Sequence, residues 1–128
     1  MRLLLDTHTF LWWLAGHPSL SKRARTEIDS SGSDVFVSAA SAWEIAIKHR
    51  LGKLPEAELV AIDVLSTIES QQFTPLAVSV RHGQAAGALP GSHRDPFDRM
   101  LVAQAMLEDL TLVSNERAFD FYGVQRLW

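Results

Sequence analysis

Apolar positions along this chain follow two periods. Arg2–Leu5 is a short, mostly apolar run ended by Asp6, which reads as a buried strand. Val35–Val37, Phe73–Ala77, Thr111–Val113 and Val124–Leu127 read as further strands, the second of these weakened by Pro75. Between them the apolar spacing turns helical. One helix follows Asp6-Thr7 and stops near Gly16 and Pro18. Others cover Ser19–Ser30, opened by Ser21, and Ser38–Arg50, stopped by Leu51-Gly52. Pro55–Gln71 reads as one long amphipathic helix, Ser79–Ala88 as another, and Arg117–Phe121 as a short helical turn. The clearest helix start lies in HRDPFDRMLVAQAML, His93–Leu107. Asp95 is placed as N-cap, Pro96 at the first helical position and Asp98 at the third, from which it returns a capping bond. Strands alternating with helices predict an α/β fold with a mainly parallel sheet of four to five short strands.

The length of 128 residues predicts one domain, 1–128, with enough chain to bury a core without staples. Cysteine is absent, so neither disulfides nor thiolate metal sites exist. The N-terminal apolar run is too short for a signal peptide and no run reaches membrane-spanning length. A soluble, cytoplasmic protein is expected. The net charge of −3 argues against a general nucleic-acid coat, although basic residues cluster locally at Lys22–Arg25, Lys48–Lys53 and His93–Arg99. Phe10–Leu14 is apolar nearly all round: one face must meet the sheet, and the rest meets either the core or a partner subunit.

The acids change the picture further. Asp6 ends the first strand, Glu44 lies in the helix after the second, Asp95 and Asp98 open the helix before the next core strand, and Glu116 follows that strand. Ligands of open parallel sheets bind beyond the carboxyl ends of the strands, the edge from which these acids come. Each has an ordinary structural alternative. Glu44 has Ser41 at capping-box spacing and Lys48 four residues on, a cap or a surface ion pair. Gathered in one pocket, however, several carboxylates repel in low dielectric, and a divalent cation resolves the repulsion. An all-oxygen donor set suits Mg²⁺ or Mn²⁺. Such an ion activates water and neutralises phosphate charge, which with nearby Arg and Lys fits phosphodiester hydrolysis. No Gly-x-Ser-x-Gly elbow and no phosphate-cradling glycine loop occurs. The five histidines lack metal-ligand spacing and read mostly as surface or satisfied residues; His93 lies nearest the acids.

Four segments in this order resemble the PIN-domain ribonucleases, in particular the VapC-type toxins of bacterial toxin–antitoxin pairs: MRLLLDTHTFLWWL, VSAASAWEIAIKHRLGKL, HRDPFDRMLVAQA and LTLVSNERAFDFYGV. The match runs essentially end to end. It implies a PIN-like three-layer fold and a metal-dependent endoribonuclease. The family's first acid maps to Asp6 and its helical glutamate to Glu44. Its third acid precedes an Asp-x-x-apolar-apolar-Ala pattern, which selects Asp98; Asp95 is an extra acid, either a ligand or a helix cap. The fourth acid maps to Glu116, where the family pattern has aspartate. The charge is kept on a side chain one methylene longer, which either shifts metal preference or holds a ligand water. Thr7 and Ser114 stand where the family orients its ligands. The resemblance also implies homodimers and inhibition by a small antitoxin.

The expected function is RNA hydrolysis by metal-activated water, with Asp6, Glu44, Asp98 and Glu116 as catalytic residues and Asp95 joining them as a metal ligand. His93, Arg94, Arg99, Thr7 and Ser114 are expected against substrate. One rival is a metal-independent acid–base ribonuclease using His93. The non-enzyme rival is a degenerate PIN-like domain that binds RNA or a protein partner without cleavage. The acid retained at every position argues against it, and the Glu116 exchange is in its favour.

Overall fold

The computed structural model describes residues 1–128, with the side chain of Glu56 left aside. In chain order, β1 (Arg2–Leu5), α1 (Thr7–Ala15), α2 (Lys22–Asp29), β2 (Asp34–Ser38) and α3 (Ala39–Arg50) build the first half. A 3-10 turn (Pro55–Ala57), α4 (Glu58–Ile62), α5 (Val64–Ser70), β3 (Thr74–Leu76), α6 (Val80–Ala88) and α7 (Pro96–Glu108) follow. The chain ends with β4 (Thr111–Val113), a second 3-10 turn (Arg117–Tyr122) and β5 (Arg126–Leu127).

The strands form one sheet in the order β3-β2-β1-β4-β5, with every pair parallel. Side chains of a strand point alternately to its two faces, and β1 shows the consequence. Leu3 and Leu5 join Phe10, Val35, Val37, Ile45 and Ile28 on one side of the sheet. Leu4 joins Leu101, Val102, Ala105, Leu112 and Phe119 on the other. All three β1 leucines are fully buried, so the sheet lies between two helical layers. Pro75 lies in β3, at the sheet edge, where a missing ladder donor is tolerated.

The single helix expected over Pro55–Gln71 is corrected to three pieces. Asp63 breaks it: its backbone leaves helical space (φ −153°, ψ 87°), and its carboxylate accepts the Ser66 N–H at 3.0 Å as N-cap of α5. Asp competes for backbone N–H groups in this way, which outweighs the amphipathic pattern. Asp63→Ala is expected to lower stability by about 1 kcal/mol, measured as a lower urea midpoint at unchanged slope.

The Phe10–Leu14 segment resolves toward the core. Phe10 and Leu11 are buried, and Trp12, Trp13 and Leu14 are half-buried against the same cluster. Trp13 Nε1 donates to Gln71 Oε1 at 3.0 Å, and the Trp12 ring meets Trp128 at 5.9 Å. Among the described residues, no helix is long and apolar enough to cross a membrane.

Candidate active site

Strand order runs outward from β1 in both directions, to β2 and β3 on one side and β4 and β5 on the other. The carboxyl ends of β1 and β4 therefore form a topological switch point, where parallel sheets open a crevice. Asp6 and Ser114 are the first residues beyond those two strands. The Asp6 N–H donates to the Val113 carbonyl at 3.2 Å, and the Thr9 hydroxyl to the same carbonyl at 3.0 Å, tying the strand ends together.

Asp6 doubles as N-cap of α1, accepting the Thr9 N–H at 2.8 Å. It is 8% exposed, and burial raises its pKa above the ordinary carboxylate value. Hydrogen bonds from Ser114 and Thr9 partly oppose that rise. Asp95 caps α7 as its sequence position predicts, accepting the N–H groups of Phe97 at 2.9 Å and Asp98 at 3.2 Å. Both bonds use Oδ1, so capping leaves Oδ2 for another ligand.

Asp98 departs from its expected reciprocal cap. Its Oδ2 instead lies 2.9 Å from His93 Nε2, across the turn that enters the helix. Burial pushes the Asp98 carboxyl up to about 6; His93 pulls the other way, and the nearby Asp95 and Asp6 carboxylates add to the rise.

Glu44 is buried rather than set in a surface pair. Thr7 Oγ1 donates to Glu44 Oε1 at 2.5 Å and lies 3.0 Å from Ser41 Oγ, while Lys48 Nζ sits 2.5 Å from Glu44 Oε2. The expected Glu44–Lys48 pair is present, with its Glu44 end buried under Thr7 and its Lys48 end one-third exposed. Glu116 is exposed and caps the second 3-10 turn, accepting the Ala118 N–H at 3.1 Å; its own N–H donates to Ser114 Oγ at 3.0 Å.

All five carboxylates line one cavity of about 230 Å³, with Thr7, His8, Lys48, Asn115 and Phe119. They come from four places in the chain, Asp95 and Asp98 sharing the start of α7, and share an opening, yet they do not close into a cage. Among the described residues, no three Asp, Glu or His side chains stand close enough to hold an ion as they are. Each carboxylate is engaged by its own neighbour, as mutual repulsion favours. The donor set nonetheless fits a hard divalent cation: every candidate is oxygen, and the buried Asp6 and half-buried Asp98 carry raised pKa values that a cation would relieve.

Of the remaining expected residues, Ser114 is fully buried and holds Asp6, and Thr7 holds Glu44. Arg94 is exposed on the loop before α7. Arg99 is a correction. Its guanidinium donates to the carbonyls of Ala86 and His93, each at 3.2 Å, and of Leu89, so it fastens the loop instead of facing substrate. Lys48, Asn115 and His8 had no expected role in the cavity; only the four-residue step from Glu44 to Lys48 signalled one of them. His82 is the satisfied histidine of the expected kind, buried between the Ser79 N–H and Glu108.

A family model described as the PIN domain matches residues 3–124. Ribonuclease VapC22 of Mycobacterium tuberculosis is 32% identical over 120 residues, covering 90% of this chain and 87% of that protein. Ribonuclease VapC16 of the same organism is 43% identical over 70 residues, 52% of this chain; that match spans only half of the relative's length. Among solved structures, VapBC2 from Rickettsia felis, bound to a DNA fragment from their promoter, has a TM-score of 0.74 at 17% identity. The match covers 99% of this chain and 98% of that one, a likeness of fold.

Proposed function

This chain belongs to the PIN-domain family, and from that premise we propose that it is a divalent-metal-dependent endoribonuclease, the toxin of a toxin–antitoxin pair, acting as a single domain in the cytoplasm. One observation carries the proposal: five carboxylates from four places in the chain, Asp95 and Asp98 sharing the start of α7, line one cavity at the switch point of the sheet, two of them with raised pKa values. The two relatives named ribonucleases support RNA as substrate.

Asp6, Asp95 and Asp98 would hold Mg²⁺ or Mn²⁺, with Glu44 and Glu116 completing the oxygen set. A cation held there would lower the pKa of a water and offset charge building on the phosphate. The chain's own groups supply the rest. Ser114 and Thr9 fix the Asp6 carboxylate, and His93 fixes that of Asp98. Lys48, anchored on Glu44, brings positive charge to the cavity wall for a phosphate oxygen. Arg94 is the arginine beside the acids still open to substrate. In hydrolysis the water oxygen bonds to phosphorus, the bond to the 3′ oxygen breaks, and that oxygen takes a proton. The products carry a 5′-phosphate and a 3′-hydroxyl.

The test is cleavage of mixed cellular RNA by purified, antitoxin-free protein, first with chelator and then with Mg²⁺ or Mn²⁺ restored, with product ends mapped. Metal-dependent cutting with 5′-phosphate ends is expected. Cutting that ignores chelator and leaves cyclic phosphates would pass the reaction to His93. Folded protein that binds RNA but never cuts would make the domain a binder.

The toxin reading brings an antitoxin and a second copy of the chain as partners. The exposed apolar side chains Leu59 and Ile62, 83% and 75% accessible, are surface that such a partner would cover. A dimer mass on a sizing column is expected, together with slower cutting once the antitoxin is added.

A further inference from the structure

A second cavity, of about 300 Å³, adjoins the carboxylates and takes no part in the chemistry above. Gly91, Ser92, His93, Ala118, Phe121 and Tyr122 line it. We infer that it is a nucleobase subsite, holding the base of a nucleotide next to the phosphate that meets the carboxylates. This inference rests on the RNA reading and names the part of the substrate that the neighbouring cavity takes.

Continuity comes first. His93 lines this cavity, and its Nε2 lies 2.9 Å from Asp98 Oδ2 in the acidic one. The His93 ring is stacked near Phe119, another wall of the acidic cavity, at 6.2 Å between centroids. One layer of side chains separates the two cavities, a spacing suited to adjoining parts of one nucleotide chain. The volume is at the small end of ligand pockets, about 300–1,000 Å³, which suits a single flat ring system.

The walls match a base. Phe121 is 67% exposed, so much of its ring is open to a ligand. Its ring packs edge-on to Tyr122, with centroids 5.1 Å apart and planes at 88°. Gly91 braces it from the other side. A Cβ at that position would lie 2.7 Å from Phe121 Cε1, and φ is +91°, so the loop lies on the ring only because the residue is glycine. The result is a supported aromatic platform open to solvent, the surface on which single-stranded bases stack.

The test is binding of fluorescently labelled single-stranded RNA by the full chain in chelator, read by anisotropy, followed by KM, kcat and cut-site sequences in Mg²⁺. Phe121→Ala is expected to weaken RNA binding by roughly 5- to 150-fold, the range of one lost base stack. It should raise KM more than it lowers kcat, and flatten base preference at one position beside the cut. Phe121→Trp should restore affinity and preference, which a merely structural role would not do. Gly91→Ala, which drives a methyl group into the ring, should reproduce the loss if Phe121→Ala is poorly folded. Wild-type affinity and cut sites in Phe121→Ala protein would overturn the subsite while leaving the nuclease reading intact. Phe121-dependent RNA binding without any cleavage in Mg²⁺ or Mn²⁺ would uphold the subsite and remove the nuclease reading. A wild-type chain that binds no RNA overturns both.

Discussion

Asp6→Asn is expected to reduce RNA cleavage by about 10²–10³-fold, the scale of losing one preorganised electrostatic group, and to raise the melting temperature of the metal-free protein at pH 7.5. Both effects have one source. Asp6 is buried, and burial disfavours its charged form. Ionising Asp6 therefore costs more in the folded chain than in the unfolded one. Asparagine keeps the shape and an oxygen to accept the Thr9 N–H, and Asn caps helices as well as Asp does. It removes the charge that a cation requires. Calorimetry with chelator and with Mg²⁺, beside the cleavage assay, measures both sides. Mg²⁺ should narrow the gap, because only the wild type gains much from binding. An Asp6→Asn variant that cuts at the wild-type rate would exclude Asp6 from the reaction. One that melts lower would show that the hydrogen bonds of the Asp6 carboxylate outweigh its burial.

The metal-free protein is also expected to lose stability as pH rises from about 4 to 7, through Asp98. Its folded pKa is raised from the ordinary 3.8 to about 6 by burial, with Asp95 and Asp6 adding repulsion against the pull of His93. The folded state therefore holds this proton more tightly than the unfolded state. The favourable contribution is complete below the unfolded pKa and is lost as pH climbs through the folded one. Moving a carboxyl that far is at most about 3 kcal/mol. The Asp98 side chain is 27% exposed, and solvent screening brings the expected loss to about 1–2 kcal/mol. Melting curves at pH 4.5, 6 and 7.5 in chelator would show it, and Asp98→Asn should flatten this part of the profile. Mg²⁺ at pH 7.5 should restore stability, since it binds the deprotonated form. RNA cleavage should rise across the same window. A profile unchanged by Asp98→Asn would mean that the Asp98 carboxyl titrates alike in folded and unfolded chains.

Local chemistry made several features legible in advance. Asp95-Pro96 at the start of α7 and Ser21 before α2 are caps whose side chains reach only two or three residues. The leucines of β1 form a run short enough for a buried strand, and their environment agrees. The break at Asp63 is also a local event, but there amphipathic spacing and a capping carboxylate pointed different ways, and the spacing alone suggested one helix. At Arg99 two basic residues beside acids suggested phosphate contacts, while the carbonyls that take its donors lie 6 to 13 residues back along the chain.

The sequence by itself determined the alternation of strands and helices, the helix caps, and which acids stand at the carboxyl ends of strands. All of these follow from backbone hydrogen bonding and side-chain period within a few residues. Tertiary structure alone decided which acids are buried, and hence which are hard to ionise. Glu44 is closed in by Thr7, 37 residues away. Ser114 reaches Asp6 because β1 and β4 are neighbours in the sheet. The cavity of Gly91, His93 and Phe121 exists because a loop before α7 lies on a turn after β4. Desolvation and pocket shape depend on what packs around a residue, and contacts between distant segments set that packing.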